Sequence, residues 1–348
     1  MARIFPILSK AALFLIAGAL LASCASPPGS GIQEAEKQNI AWPQPPGKAR
    51  IRFVNEISGA ADLGIRPGFW SQLVGLIAGG EEHRLIRPTA VVMTPEEILY
   101  VADPGSRTVH RFDIRRKKYE TVRLKDGAAF RSPIALAIGP GNRVYVSDSA
   151  LNQIFLITDD TKYAVPLQTT IELDQPTGLT LDNERLYVVN TLRHEILVFD
   201  LEGQLLFRFG SRGAGKGEFN YPTMIWSEPS TRRLWVTDSL NFRIQQFDEN
   251  GRFISAFGRP GDATGDLPRP KGIATDRHGN LYVLDSLHNS MQIFNPAGEL
   301  LLYIGEQGHG PGQFWLPTGI FIDDKNRIFV ADSFNSRVQV FRYLGDER

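Results

Sequence analysis

Six times between residues 88 and 332, a proline opening a short apolar run is followed at nearly constant distance by an acid or amide closing the next run. The pairs are Pro88/Asp103, Pro133/Asp148, Pro176/Asn190, Pro222/Asp238, Pro270/Asp285 and Pro317/Asp332, with offsets of 15, 15, 14, 16, 15 and 15 residues. Successive prolines lie 45, 43, 46, 48 and 47 residues apart. A period of that length means one supersecondary unit repeated, each copy burying its apolar face on the next. Within a unit the runs are β-branched and aromatic, as in Leu281-Tyr282-Val283-Leu284-Asp285, and turn formers such as Arg277-His278-Gly279-Asn280 and Glu249-Asn250-Gly251 separate them. No helical period appears. Four antiparallel strands per unit therefore predict the blades of an all-β, six-bladed propeller.

The sixth unit lacks its last strand, because only residues 342 to 348 follow Phe341. The stretch Ala49-Arg50-Ile51-Arg52-Phe53-Val54-Asn55-Glu56-Ile57 supplies a candidate. Paired with the third strand of the last blade, it would close the ring and remove two exposed sheet edges. The propeller is thus expected over residues 49–348. An insert at about 67–79, with Phe69, Trp70, Leu73, Leu76 and Ile77 at helical spacing, predicts a short amphipathic helix before the first unit.

The chain start has a different character. Arg3 and Lys10 precede an apolar run over residues 11–21, too short to span a bilayer, and Leu21-Ala22-Ser23-Cys24 follows. Residues 1–23 read as an export signal, and their end resembles the bacterial lipobox, in which the cysteine is lipidated. Cys24 is the only cysteine in the chain, so no intrachain disulfide is available. Ala25 stands where an aspartate would resemble the inner-membrane retention signal, so a lipid-anchored envelope protein of the outer membrane is expected. Residues 24–48, with Pro27, Pro28, Pro43, Pro45 and Pro46, read as an extended tether. Lys plus Arg and Asp plus Glu number 38 each, which leaves no field for gripping nucleic acid.

Over about residues 49–348 the repeats resemble the NHL family of six-bladed propellers. The resemblance is carried by Phe209-Gly210-Ser211, Gly215-Lys216-Gly217-Glu218-Phe219, Tyr221-Pro222-Thr223 and Asn241-Phe242-Arg243-Ile244-Gln245-Gln246-Phe247-Asp248. It is looser in the first two units, where the Gly-rich loop is absent. Together with the leader it implies an exported bacterial NHL-repeat lipoprotein. Some exported propellers of this kind resemble a lyase whose zinc is held by histidines directly after the opening prolines. Here those positions are Thr89, Ile134, Thr177, Thr223, Lys271 and Thr318, so that activity is not expected.

The six histidines, His83, His110, His194, His278, His288 and His309, fall at unlike repeat positions and suggest no metal cluster. Gly210–Gly217 has the look of a phosphate loop, but Gly217 stands where magnesium chemistry needs Ser or Thr, and strands follow. Asp103, Asp148, Asn190, Asp238, Asp285 and Asp332 read as caps accepting backbone N–H bonds; calcium ligation is the alternative, and no other cofactor is expected. The resemblance to NHL topology places Thr89, Thr177, Thr223, Lys271 and Thr318 at the channel mouth, a ring able to hold water, an ion or a small polar ligand. Around it Arg131, Tyr221, Phe219, Arg259, Arg269, Phe314 and Trp315 would supply the aromatic and guanidinium anchors common at interfaces.

The reading that follows is a membrane-anchored, noncatalytic scaffold binding another envelope protein or a polymer through its loop-rich face. Two alternatives stay open: a metal-dependent hydrolase or lyase acting on a lactone or sugar-like substrate in the channel, and a small-ligand sensor.

Overall fold

The computed structural model describes residues 40–65, 84–158, 163–182 and 184–345. The expected export signal, Cys24 and the helix expected at about 67–79 lie outside them.

Six four-stranded antiparallel units follow one another. Blade 1 contains Ala90–Met93, Ile98–Asp103, Thr108–Asp113 and Lys118–Leu124. Blade 4, typical of the later units, contains Pro222–Ser227, Leu234–Asp238, Arg243–Phe247 and Phe253–Phe257. The second strand is buried along its whole length, as in Leu234–Asp238, because a neighbouring blade covers each of its faces. The outermost strand, as in Phe253–Phe257, alternates between half-buried and exposed residues. Hairpins between third and fourth strands close on an acid or amide whose side chain caps the turn. Asp248 Oδ1 accepts from the N–H of Asn250 and of Arg252 (2.9 and 2.8 Å), and Gly251 takes the positive φ of 78° that the turn needs.

Six apolar clusters lie between blades, one at each junction. The junction of blades 6 and 1 joins Phe329, Val338 and Val340 to Val91, Leu99 and Phe112, so the ring is closed. Blade approach is close enough to select residue size. A Cβ on Gly178 would come within 2.5 Å of Met224 Cα, and one on Gly272 within 2.6 Å of the Thr318 carbonyl oxygen.

Closure uses the expected N-terminal strand. Ile51–Ile57 pairs antiparallel with Arg337–Tyr343, from Ile51 opposite Tyr343 to Ile57 opposite Val338, with a bulge between Phe53 and Asn55. The end of the expected tether behaves differently. Ala41–Trp42 adds a fifth strand outside Ile51–Ile57, and the Trp42 ring meets Phe341 edge-on at 5.9 Å, so the stretch from residue 40 belongs to the propeller. Its physical reason is that Trp42 finds apolar cover at the clasp. Blades 1 and 2 are also not separate: Tyr163–Pro166 runs parallel to Lys118–Leu124, and the two blades share one eight-stranded sheet.

Candidate functional site

The strand ends carrying the opening prolines and the six caps define the loop-rich face. Each cap carboxylate or amide reaches back to the segment before its own proline. Asp148 accepts from the N–H of Arg131 (2.7 Å) and of Leu151 (3.0 Å). Asp103 accepts from Ile86 and Arg87 (2.6 and 3.0 Å), Asn190 from Asp174 (2.7 Å), Asp238 from Asn220 (2.7 Å) and Asp332 from Trp315 (2.7 Å). In blade 5 the residue two before the proline is Pro268, which has no N–H, and Asp285 takes the N–H of Arg269 instead (2.8 Å). Burial pushes the Asp103 carboxyl up, yet hydrogen bonds from His110, Ile86 and Arg87 outweigh it and bring it down to about 2.

In blades 4 and 6 the cap is also held by side chains. Asn241 Nδ2, Arg243 Nε and Gln245 Nε2 donate to Asp238 (2.8, 2.8 and 3.0 Å), while the rest of the guanidinium bonds the carbonyls of Ala214, Gly215 and Glu218. That clamp is what the Gly-rich loop is for in this chain: it turns carbonyls toward arginine, the opposite polarity to a phosphate cradle. Asn335, Arg337 and Gln339 repeat it around Asp332. Blade 3 swaps the polarity: the neutral amide Asn190 donates through Nδ2 to Glu195 (2.9 Å), which stands in the register position of Arg243. In blade 5, His288 and Ser290 replace the asparagine and arginine, and both His288 ring nitrogens and Ser290 Oγ are buried without a hydrogen-bond partner among the described residues.

The hydroxyls of the threonines that follow the opening prolines act between blades. Thr89 Oγ1 donates to the Pro133 carbonyl (3.2 Å) and Thr318 Oγ1 to the Thr89 carbonyl (3.2 Å). Thr177 lies 2.6 Å from Thr191 Oγ1, which donates to the Pro222 carbonyl. Thr223 pairs likewise with Ser239, which donates to the Pro270 carbonyl. These hydroxyls suture the ring, each engaged with a backbone carbonyl or a neighbouring hydroxyl. Thr191 and Ser239 escaped the sequence reading, although a hydroxyl residue directly after the cap in five repeats was a visible signal. Lys271 is half-buried in the same ring; burial, then the charge of Arg269, pulls its ammonium below the usual lysine range.

Of the expected anchors, Phe219 and Phe314 are fully buried in blade junctions and are corrected to core. Their side chains fill the space under the Gly-rich loops. Arg131 and Arg269 are exposed, and Arg259 pairs with Asp266 at 2.6 Å. Tyr221 and Trp315 are on the face, 36% and 37% exposed. They have company the sequence reading missed: Leu192, Leu240, Leu287 and Phe334, each two residues after its cap, are 44%, 50%, 54% and 48% exposed on four successive blades. The backbone holds them there, since the N–H of Leu240 and of Phe334 donates to the carbonyls of Asn220 and Trp315 (3.0 and 3.1 Å). Ile86 extends the patch.

His194 accepts the Tyr221 N–H at Nδ1 (3.1 Å) and meets the Tyr221 ring edge-on. His110 stands between Ser106 and Tyr119. Among the described residues no group of three or more His, Cys, Asp or Glu is placed to hold a metal ion. The channel itself widens away from the threonines into a cavity of about 660 Å³ that opens on the opposite face, where first and second strands turn.

Architecture and sites together define a closed six-bladed β-propeller whose loop-rich face exposes a recurring apolar side chain and whose channel is hollow at the far end. The chain belongs to the family described as 6-bladed beta-propeller, whose model matches residues 144–255 and 268–345. No curated protein matches. Among solved structures, it is similar to virginiamycin B lyase from Staphylococcus aureus, with 17% identity and a TM-score of 0.57, covering 74% of this chain and 95% of that one. It is also similar to a structural genomics protein of unknown function from Bacteroides thetaiotaomicron, with 13% identity and a TM-score of 0.62, covering 84% and 75%. An auxiliary nutrient binding protein from the same organism matches with 14% identity and a TM-score of 0.59, covering 76% and 71%. At these identities the likeness is one of fold.

Proposed function

We propose that this chain is a noncatalytic, NHL-like scaffold, held on a bacterial envelope membrane through a lipid on Cys24, that docks another envelope protein on its loop-rich face. The observation carrying the reading is the repeated apolar position. Leu192, Leu240, Leu287 and Phe334 recur at one place in four consecutive blades, joined by Ile86, Tyr221 and Trp315 on the same face. Scattered exposed leucines need no explanation, but the same position exposed and apolar on four blades in a row supports a binding surface. Trp315 and Phe334, with ring centroids 5.9 Å apart, form the kind of aromatic anchor that dominates such interfaces. The nutrient-binding neighbour is compatible with a binding role for this fold.

The test is site-specific photo-crosslinking in intact cells. A photoreactive residue at 240, 287 or 334 is expected to give one common crosslinked partner, whereas the same residue at Ile254, exposed on an outer strand, gives none. Equal crosslinking from both regions would refute a dedicated face.

A further inference from the structure

The cavity at the far end of the channel has a chemistry of its own. Its walls come from the inner strands of all six blades, with Val92, Leu136, Leu181, Met224 and Phe321 among the lining residues. Trp226 of blade 4 meets Phe321 of blade 6 edge-on with centroids 6.3 Å apart, so an aromatic pair reaches past blade 5. Trp226 is fixed in place by its Nε1–H, which donates to Thr275 Oγ1 (2.8 Å).

The polar groups of this wall are tied to one another. Thr180 Oγ1 accepts from the Ser227 N–H (3.2 Å) and Thr94 Oγ1 from the Ile98 N–H (3.3 Å). At the mouth, Arg327 pairs with Glu97 (2.9 Å) and Asp323 (2.6 Å), and Lys325 pairs with Glu97. The Asp276 carboxylate accepts from His278, Asn280 and Tyr282. Arg327 and Lys325 are thus paired with Glu97 and Asp323, the buried Asp276 carboxylate is satisfied by neutral donors, and Arg277 and Asp324, both exposed there, are of opposite sign. What still offers hydrogen bonds is backbone: each inner strand is the last of its sheet, so one row of its N–H and C=O groups has no strand partner.

A volume of about 660 Å³ falls in the range of small-molecule pockets, about 300–1,000 Å³, which are mostly apolar with a few convergent polar groups. We infer that the cavity is a binding site for an uncharged, largely apolar small molecule carrying one or a few hydrogen-bonding atoms, stacked against Trp226 and Phe321. A charged ligand would lose its hydration in a cavity whose paired ions already neutralise one another and whose buried carboxylate, Asp276, is already held by hydrogen bonds. The site is independent of the docking face and lies at the other end of the channel.

The probe is N-phenyl-1-naphthylamine, a neutral aromatic amine that fluoresces in apolar surroundings. It is titrated into the mature chain carrying Cys24→Ala, so that no acyl chain competes for it. Saturable binding with one site per chain is expected, with emission sensitised from tryptophan that falls in Trp226→Phe. 1-Dodecanol should displace the probe at least tenfold more effectively than laurate or dodecylammonium. Met224→Trp, which fills the cavity, should weaken binding at least tenfold with an unchanged melt; if it misfolds, Leu181→Phe gives the same test more gently. The double variant Leu240→Ser/Phe334→Ser, on the other face, should leave binding as it is. Absence of saturable binding, a preference for a charged competitor, or full binding in folded Met224→Trp would overturn the inference. Loss of binding in the Leu240/Phe334 variant would also overturn it by placing the probe on the loop-rich face, and would leave the docking proposal standing.

Discussion

Asp103 shows what a single buried carboxylate does in this ring. Its side chain has no exposed surface and its pKa is about 2, against about 3.9 for an unstructured aspartate. The folded state thus binds fewer protons than the unfolded one, and the stabilisation is complete above about pH 4 and lost as pH falls toward 2. The difference is worth about 2 kcal/mol. Denaturant unfolding between pH 5 and 2 should therefore show a shallower pH slope in Asp103→Asn than in the natural chain, by about that amount; parallel slopes would remove Asp103 from the account. Blade 3 allows a sharper experiment. Asn190 is 1% exposed and bonds Glu195, so Asn190→Asp sets two carboxylates against each other in a buried site. A loss of about 1–3 kcal/mol is expected, with recovery on adding Glu195→Arg, which recreates the Asp238/Arg243 pair. Caps were legible from the repeat, because an acid or amide at every second-strand end offers an acceptor to the N–H groups of the adjoining loop. Their partners were not, since the register that sets Glu195, Arg243 and Ser290 opposite their caps exists only in the folded sheet.

Among the elements, the strand Ile51–Ile57 carries the most. It is the only described segment that makes the last blade a four-stranded sheet, and Arg337 ties it down by donating to Glu56 (2.5 Å). Each backbone bond lost contributes roughly 1 kcal/mol net. Deleting residues 49–58 should lower the melting temperature by well over 10 °C, at about 2–4 °C per kcal/mol for a chain of this size, measured by circular dichroism; an unchanged melt would deny the clasp its role. The need for this strand could be read from the sequence because the sixth unit shows three strand runs where the others show four. The fifth strand Ala41–Trp42 could not, since two residues carry no periodicity and proline-rich surroundings argue for extended chain. Nor could the parallel pairing of blades 1 and 2, because β-patterning is blind to which edge an outer strand meets.

At the scale of the whole molecule, a propeller with two unlike ends is proposed to sit on a lipid anchor. Replacing Cys24 with alanine should move the protein from the membrane fraction to the soluble fraction on cell fractionation; continued membrane association would reject the anchor at that residue. Fold class, blade number, turn chemistry and the position of the closing strand follow from the sequence alone, because tandem repetition with period-two patterning has one compact solution. Which of two adjacent aromatics is core and which is surface, Phe314 or Trp315, was settled only by tertiary structure, as were the sutures that engage the threonines and the end at which the channel opens. The physical reason is that strand patterning records which side of a sheet a residue takes, whereas burial, partner and cavity depend on the angle and distance between blades, and those are properties of the closed ring.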